Sequence, residues 1–365
     1  MTNSFSQKIQ ITLLRTLIFS IWVFDWVSLF PLSYIVLKLR KVFLILFLSI
    51  LLIGTFYLVV RNDDTEQSSI AIPSDLAFEA PQSSSTFADV LGAQNPKSEE
   101  IPSEIKFPEP KTEAGPKPEV SAKSVLAKDV LTDKTLFEKA PNLILAPAST
   151  TKLMTALVAV KNYSLEDVFV VPVDCTTIDS TKAWLPAGSS FKVQDLLSVL
   201  LVSSAGDAAC TLGYGPESTY DIFVSEMNET ARKLQMKNTF FTNTIGLDGY
   251  ASSHYSTAED LYILAKESIK NVTIKELVKT KDFSVKSEDG SYNFTGQNTN
   301  TLLWELDGTA GIKTGTTVEA GEVLIYEYEK DGKNIIIVVM GSSNRFADTK
   351  AILNWILDSF IFPAV

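Results

Sequence analysis

A long run of residues without a charge sets the first limit on what this chain can fold into. The run is VFLILFLSILLIGTFYLVV, residues 42–60 of a chain of 365 residues. A helix needs about 20 apolar residues to cross the hydrocarbon core of a bilayer. We therefore expect residues 42–60 to form a transmembrane helix. A cleaved signal peptide would have an apolar core of about 7–15 residues followed by small residues, and neither feature fits.

Basic residues before this run indicate its orientation. Lys38, Arg40 and Lys41 precede it directly, and the positive-inside bias keeps such a cluster in the cytoplasm. The chain that follows is then expected outside the cytoplasm. The N-terminal segment 1–41 contains a second apolar stretch at residues 9–37. This stretch fits another membrane span, an interfacial helix, or an extension upstream of the true start of the protein. Two spans would leave the orientation of the downstream chain unchanged.

The composition changes after the apolar run. Residues 61–121 are rich in Ser, Pro, Glu and Lys, as in SEEIPSEIKFPEPKTEAGPKPEV. Such a segment has too few apolar side chains to build a core, so we predict a disordered, partly extended stalk. Residues 122–365 mix helical and strand patterns and are numerous enough for a domain with its own core.

Composition also excludes some functions. The formal net charge is −11, which argues against nucleic acid as the main partner, because phosphate binding needs a basic surface. The chain has one histidine, His254, and two distant cysteines, Cys175 and Cys210. We therefore expect no metal and no other cofactor. An oxidising compartment would permit a disulfide between the cysteines, and two free buried thiols are an equal alternative.

The periodicity of the last part of the chain predicts a mixed α and β domain. Helical patterns cover residues 149–160, 193–202, 218–235, 257–269 and 345–360, and a capping box is expected at Ser256 and Glu259. A strand hairpin is expected at 124–130 and 135–140. Asp331-Gly332 between 321–330 and 333–341 is a strong two-residue hairpin signal. Together with 310–317 these segments predict three consecutive antiparallel strands.

The stretch LAPASTTKLMTAL, residues 145–157, places Ser149 three residues before Lys152 at the start of a helical pattern. Residues i and i+3 share a helix face, so the lysine can lie over the serine hydroxyl. Unpaired N–H groups at a helix start also favour an anionic oxygen there. The amine acts as a base only if burial or a nearby cation lowers its pKa. Taken alone, this pair is more often the ordinary polar start of a helix.

Two further stretches favour a catalytic role for the pair. LLVSSAGDAA places Ser204 just after an apolar helix, and AGIKTGTT places Lys313, Thr314 and Gly315 on a strand. SxxK, a serine turn and KTG, in this order, are the motifs of penicillin-binding proteins and class A β-lactamases. The chain resembles the serine D-alanyl-D-alanine carboxypeptidases, the low-molecular-mass penicillin-binding proteins.

The resemblance extends beyond the three short motifs. Residues 135–159, 185–209, 243–265 and 311–321 all look like this family, so that it covers about residues 122–360. It implies an α+β penicillin-binding or serine β-lactamase-like fold, in which helices flank an antiparallel sheet and a mainly helical subdomain is added.

The family also implies roles for individual residues. Ser149 would attack the carbonyl between two D-alanines, Lys152 would take its proton, and water would resolve the acyl-enzyme. The backbone N–H groups of Ser149 and Thr316 would form the oxyanion hole. Ser204 would hydrogen-bond Lys152 and relay a proton to the leaving amine.

The third motif would bind substrate. Lys313 and Thr314 would hold the terminal carboxylate, and Gly315 would let the substrate lie close to the strand. The family's second motif usually ends in asparagine, where this chain has Gly206. Loss of that amide would slow turnover by about ten- to a hundredfold, and Gly206→Asn is then expected to raise the acylation rate.

The expected partners are a peptidoglycan stem peptide ending in D-Ala-D-Ala, β-lactams as inhibitors, and the bacterial cytoplasmic membrane through the N-terminal helix. The catalytic domain would lie on the extracytoplasmic side. Two alternatives are a β-lactamase of the same fold and a catalytically weakened cell-wall-binding protein. A Ser-His-Asp triad with His254 is less favoured than a structural role for this histidine in a loop before a capped helix.

Overall fold

The computed structural model describes residues 106–216, 220–248 and 253–363. The strands in these ranges are β1 (Glu109–Pro110), β2 (Ser124–Asp129), β3 (Thr135–Lys139), β4 (Val168–Val170), β5 (Ser190–Lys192), β6 (Asp282–Lys286), β7 (Asn293–Gln297), β8 (Thr309–Thr317), β9 (Gly321–Lys330), β10 (Lys333–Ser342) and β11 (Phe360–Ile361). The helices are α1 (Thr151–Asn162), α2 (Val173–Thr176), α3 (Val193–Val202), α4 (Gly206–Tyr214), α5 (Tyr220–Lys233), α6 (Ala258–Ser268), α7 (Val272–Lys279), α8 (Leu302–Glu305) and α9 (Arg345–Ser359).

A five-stranded antiparallel sheet organises the domain, in the order β3-β2-β10-β9-β8. Its central strand β10 is apolar on both faces, because Ile335, Ile337 and Val339 pack on one side and Ile336 and Val338 on the other. Such an unbroken apolar pattern is typical of a strand covered on both faces. The sheet therefore separates two cores.

Helices cover both faces of the sheet. One core lies between the sheet and α9, with Ile352 and Ile356 from the helix. The larger core lies on the other face and is built from the helices that carry Leu153, Leu197 and Leu261. The predicted α+β architecture, with an antiparallel sheet flanked by helices and a mainly helical part, is confirmed.

Most of the expected regular elements are present. Strands β2 and β3 form the expected hairpin, and β8, β9 and β10 are consecutive and antiparallel. Asp331 and Gly332 both have positive φ, 51° and 72°, as a type I′ turn requires. The cap of α6 is one residue away from the expected position, because the Asp260 N–H donates to Thr257 Oγ1 at 3.1 Å.

The end of the expected stalk is docked on the domain. Strand β1 pairs with β11, the Lys111 N–H donates to the Ser359 carbonyl, and Trp355 Nε1 donates to the Gly115 carbonyl. Backbone pairing of this kind needs no apolar side chains, which is why composition did not reveal it. The domain thus includes chain before the predicted boundary at residue 121.

No helix within the described ranges is long and apolar enough to cross a membrane. The span predicted at residues 42–60 lies outside those ranges, as do the apolar stretch 9–37 and most of the predicted stalk.

Cys175 and Cys210 form a disulfide with their Cα atoms 5.4 Å apart. The bond joins α2 to α4, the helix that begins directly after the serine turn Ser204-Ala205-Gly206. This pairing resolves the alternative that the sequence left open.

Candidate active site

A short 3-10 turn, Ala148–Thr150, carries Ser149 into helix α1. Two glycines press against this turn. A Cβ on Gly246, whose φ is +87°, would lie 1.9 Å from the Ala148 carbonyl oxygen, and one on Gly315 would lie 2.9 Å from the Ser149 nitrogen. Side chains at these positions would push the turn away. The approach of strand β8 to the serine backbone therefore depends on glycine.

Lys152 is fully buried beside the serine. Its Nζ lies 2.9 Å from Ser149 Oγ and donates to the Ile245 carbonyl at 2.7 Å. Burial lowers the pKa of Lys152 to about 7, against the opposing charge of Asp207. The sequence analysis left open whether burial or a second cation would lower this pKa, and burial is the largest cause. A large part of the lysine is therefore neutral near pH 7 and can accept the serine proton.

A single amide fixes the loop that supplies the second acceptor for Lys152. Asn243 Oδ1 accepts the N–H groups of Ile245, Gly246 and Leu247 at 3.0, 2.7 and 3.2 Å. The sequence analysis did not single out Asn243, since no spacing rule connects an asparagine side chain with a catalytic lysine far away in the chain. It positions the carbonyl that holds the amine.

Ser204 pairs with a different lysine from the one that the family resemblance implied. Lys313 Nζ donates to Ser204 Oγ at 2.7 Å and to the Thr314 carbonyl at 3.0 Å. Lys152 already has its two acceptors, Ser149 Oγ and the Ile245 carbonyl. Burial, then repulsion by Lys152 and Arg345, holds the pKa of Lys313 well below its usual value. The expected Ser204–Lys152 bond is thus replaced by a Ser204–Lys313 bond.

Strand β8 brings the rest of the KTG motif to the same place. Thr314 is buried and its hydroxyl lies 2.5 Å from Thr299 Oγ1. Arg345 lies at the outer edge of the strand, where Nη1 donates to the Gly315 carbonyl at 2.8 Å and to Thr316 Oγ1 at 2.6 Å. Its Nε is buried without a partner in the described part of the chain. A guanidinium therefore lies beside the two lysines, at the KTG end of the site.

Arg345 is a second residue that the sequence analysis missed. It is the only arginine after Arg232, in a segment whose other basic residues are lysines. That change of residue type was the one sequence signal that could have pointed to it. Its position depends on α9 starting directly after β10, with Asn344 as N-cap. Because α9 starts at the end of β10, the arginine side chain reaches past β9 to β8. Short sequence motifs do not show this placement.

Gly206 is crowded, and no empty space marks the place of an asparagine. A Cβ on Gly206 would lie 2.7 Å from Ser180 Oγ and 2.9 Å from Ser180 Cβ. The Gly206 N–H donates to the Thr181 carbonyl at 2.7 Å. The serine turn has therefore closed around glycine, and the expectation that Gly206→Asn accelerates the enzyme loses its physical basis.

His254 is buried and structural. Its Nδ1 accepts the Thr242 N–H at 3.0 Å, so Nε2 carries the proton and donates to Thr151 Oγ1 at 2.8 Å. Burial lowers the pKa of His254 to about 4, so the ring is neutral. It holds the first turn of α1 to the 242–247 loop and makes no hydrogen bond to Ser149. The favoured structural reading is confirmed, although the ring is buried in the domain.

Serine acylation with lysine as base is the chemistry that this arrangement supports. Ser149 and Lys152, Ser204, and Lys313 come from three separate parts of the chain and meet beside the glycine of β8. Fold and site together define the class of serine enzymes built on the penicillin-binding and β-lactamase scaffold.

Within this class the chain belongs to the D-alanyl-D-alanine carboxypeptidase family, peptidase S11, whose family model matches residues 110–344. Relatives include the D-alanyl-D-alanine carboxypeptidase DacF of Bacillus subtilis, 32% identical over 61% of this chain and 58% of that protein. The D-alanyl-D-alanine endopeptidase of Escherichia coli is 29% identical over 67% of this chain and 80% of that protein. The chain thus spans less than two thirds of the length of the Bacillus relative.

A solved structure is similar in both sequence and fold. The crystal structure of the Streptomyces K15 DD-transpeptidase superimposes with a TM-score of 0.63 and 32% identity, and covers 67% of this chain and 99% of that one. The protein of Streptomyces strain K15 is also named a D-alanyl-D-alanine carboxypeptidase, at 32% identity over 66% of this chain and 88% of that protein.

Proposed function

We propose that the protein is a serine-type D-alanyl-D-alanine carboxypeptidase that removes the terminal D-alanine from peptidoglycan stem peptides and is acylated by penicillins. The observation that carries the proposal is the 2.9 Å contact between Lys152 Nζ and Ser149 Oγ, together with the pKa of Lys152 of about 7. A buried amine that is partly neutral at physiological pH is the base that a serine nucleophile needs.

The reaction proceeds in two steps. The Ser149 hydroxyl gives its proton to Lys152 and its oxygen bonds to the carbonyl carbon between the two D-alanines. The N–H groups of Ser149 and Thr316 stabilise the oxyanion. The C–N bond then breaks as the leaving amine takes the proton of Ser204 Oγ, and Lys313, whose Nζ donates to that hydroxyl, replaces it and is itself reprotonated from solvent. Lys152 releases the serine proton to solvent. The neutral amine then takes a proton from water, whose oxygen bonds to the ester carbonyl carbon, and returns that proton to the departing Ser149 oxygen.

Positive charge at one end of the site supports recognition of a free C-terminus. Lys313 Nζ donates to the Thr314 carbonyl and Arg345 Nη1 to the Gly315 carbonyl, so both basic groups lie along the KTG backbone. A carboxylate bound between Thr314 and Thr316 would meet donors from both cations. An internal peptide bond offers no such charge, so this feature favours a carboxypeptidase.

The names of the relatives leave two alternatives with support of their own. The E. coli relative is named an endopeptidase and the Streptomyces structure a transpeptidase. Carboxypeptidase, endopeptidase and transpeptidase reactions all pass through the acyl-enzyme. The first two differ in the C-terminus of the substrate, and a transpeptidase differs in that an amine, in place of water, resolves the ester. Asp207 is the carboxylate whose charge raises the pKa of Lys152. Its oxygens accept the N–H groups of Ala183 and Leu185. This use of its oxygens argues against the role of deacylating base that a β-lactamase would need.

We also propose that the domain works outside the cytoplasm of a bacterial cell, anchored by residues 42–60. The Cys175–Cys210 disulfide supports this location, since disulfides persist in oxidising compartments. The substrate class supports it too, because the peptidoglycan stem peptides are cross-linked on that side of the membrane.

Turnover of diacetyl-L-lysyl-D-alanyl-D-alanine tests the proposal. Released D-alanine is measured for the wild-type protein and for Ser149→Ala, with a cross-linked peptide dimer as second substrate and a primary amine as competing acceptor. Release of D-alanine that depends on Ser149 supports the carboxypeptidase. Cleavage of the dimer alone would favour the endopeptidase, and no release from either substrate would favour a binding protein.

A further inference from the structure

A loop over residues 177–189 holds a tryptophan outward beside the serine turn. Trp184 is 71% exposed, whereas its neighbours Ala183 and Leu185 are 1% and 2% exposed. The backbone on both sides of the indole is therefore anchored in the core. Only the side chain of Trp184 is offered to the solvent.

The main anchor of this loop belongs to helix α4, which begins at the serine turn. Asp207, three residues after Ser204, accepts the Ala183 N–H on Oδ1 and the Leu185 N–H on Oδ2, both at 3.1 Å. The Ala183 carbonyl accepts from Tyr292 Oη at 2.5 Å. These bonds hold the residues on either side of the indole at the start of α4. The indole and the serine turn consequently keep a fixed relation.

The backbone of Trp184 is in an unfavourable conformation. Its φ is +61°, a region that bulky side chains rarely adopt. Two of the other non-glycine residues with positive φ in the described ranges are Ala148, next to the nucleophile, and Ser204. Conformations of this kind persist where surrounding bonds impose them, and they cluster at functional sites. The two hydrogen bonds to Asp207 impose this one.

A lysine completes the arrangement. Lys182 Nζ lies 4.6 Å from the centroid of the Trp184 ring and donates to the Thr176 carbonyl at 3.2 Å. The ring and the ammonium together present an apolar face bordered by positive charge. Such a surface suits the backbone planes of an extended peptide that carries a carboxylate.

We propose that Trp184 and Lys182 bind the part of the substrate that lies N-terminal to the scissile bond. This inference rests on the proposed function and adds a specificity determinant to it. With the C-terminal D-alanine held at the KTG strand, as the proposed function has it, the longer acyl part would extend from Ser149 toward the serine turn, to which Asp207 ties the tryptophan loop. The preferred substrate is then a stem peptide with an acidic residue upstream of the diamino acid.

The test compares two peptides that differ only upstream. One is diacetyl-L-lysyl-D-alanyl-D-alanine, and the other is a pentapeptide with an alanyl-glutamyl extension before the lysine. Trp184→Ala is expected to lower kcat/KM for the pentapeptide by about three- to tenfold, mainly through KM. The loss for the short peptide is expected to be much smaller. Trp184→Phe should retain most of the difference, and Lys182→Ala should lower the preference for glutamate over glutamine in the extension.

A matched control and a separate readout make the outcomes distinct. Trp304→Ala removes another exposed tryptophan, near the start of β8, and should leave the ratio of the two kcat/KM values unchanged. Equal losses of kcat/KM for both peptides in Trp184→Ala would overturn the proposal. They would indicate that Trp184 only stabilises the serine turn and does not bind the upstream part of the substrate. An unchanged ratio in Trp184→Ala, Trp184→Phe and Lys182→Ala would overturn it as well. Acylation by benzylpenicillin tests the proposed function separately, since this ligand lacks the peptide extension.

Discussion

Lys152 is the base in the proposed chemistry, and burying its amine is energetically unfavourable. A fully buried ammonium is unfavourable, so the protein shifts the amine toward its neutral form. The Ile245 carbonyl accepts from the nitrogen in both protonation states, whereas the Ser149 hydroxyl accepts from the ammonium and donates to the neutral amine. A perturbed amine next to a serine hydroxyl is what an acylating site requires.

The rate of acylation should follow the protonation of Lys152. The pKa of Lys152 is lowered to about 7, and the neutral form, which dominates above that pH, is the active base. The second-order rate constant for acylation by benzylpenicillin is therefore expected to rise with pH and level off above about pH 8. At pH 5 it should be about a hundredfold below the plateau. Stopped-flow measurement between pH 5 and 9 checks this, and a flat profile would remove Lys152 from the role of base.

Gly206→Asn should slow acylation. The new Cβ would lie 2.7 Å from Ser180 Oγ, and overpacking of this kind costs about 1–3 kcal/mol of stability. The serine turn or its neighbouring loop must move to relieve the contact. Thermal unfolding and the penicillin acylation rate measure both effects, and adding Ser180→Gly should restore part of each. A Gly206→Asn protein that is as stable as the wild type and faster would show that the missing amide is a deficit.

Residue patterns could predict the motif residues but not their partners. Ser149, Lys152, Ser204 and Lys313 stand in short recognisable stretches, and the structure brings them together. Which lysine pairs with Ser204 depends on how segments that are distant in the chain are placed relative to one another. Asn243 and Arg345 act through loop closure and helix placement, which short-range spacing does not encode.

At the scale of elements, strand β9 contains an unusual residue. Glu327 is fully buried in the sheet, and neither carboxylate oxygen has a hydrogen-bond partner in the described part of the chain. Burial raises the pKa of Glu327 to about 7, partly opposed by Asn334 and Lys275. The strand thus carries a carboxyl group that is protonated in mildly acidic solution.

The contribution of Glu327 to stability should fall as the pH rises through its titration. The folded state binds this proton up to about pH 7, whereas the unfolded chain releases it near the usual value of 4.5. At this site the folded state therefore binds more protons between these values, and the contribution of Glu327 to the free energy of unfolding decreases over this window by up to about 3 kcal/mol. Glu327→Gln should remove this decrease and be more stable than the wild type at pH 8.

Urea unfolding at pH 5 and pH 8 measures the effect. Glu329→Gln is the matched control, because Glu329 lies two residues along the same strand and is an exposed partner of Lys275. Its effect is expected to stay within about 1 kcal/mol. A Glu327→Gln protein with the same pH dependence as the wild type would contradict the assignment.

The long elements could be predicted from periodicity and the short ones could not. Helix α3 and strands β9 and β10 have ten residues each, enough for a helical or strand pattern of apolar residues to be recognised. Strands β4 and β5 have three residues each, too few to show an alternation. Strand β1 forms through backbone pairing with β11 at the other end of the chain, and that contact has no local signal.

At the scale of the whole molecule, the basic residues of the site contrast with the negative net charge of the chain. The chain is acidic, with a net charge of −11, while the site gathers Lys152, Lys313 and Arg345. Local cations in a partly buried site act on a bound carboxylate more strongly than distant, screened surface charges do. We therefore expect the site to bind an anionic peptide in spite of the net charge.

The orientation of the chain in the membrane can be tested on intact cells. Protease added outside should cut within residues 61–108 and release a folded fragment, because chain from Glu109 onward is paired with the domain. Immunoblotting of the medium before and after opening the cells measures the release. Full protection until the membrane is opened would contradict an extracytoplasmic domain.

The central claim is that Ser149 is the nucleophile of an acyl-enzyme. Its most direct test is intact-protein mass spectrometry of the full chain after a brief exposure to benzylpenicillin, followed by peptide mapping. One penicilloyl adduct on Ser149 is expected, and Ser149→Ala should form none. Acylation of Ser149→Ala at the wild-type rate would place the nucleophile elsewhere and contradict the account.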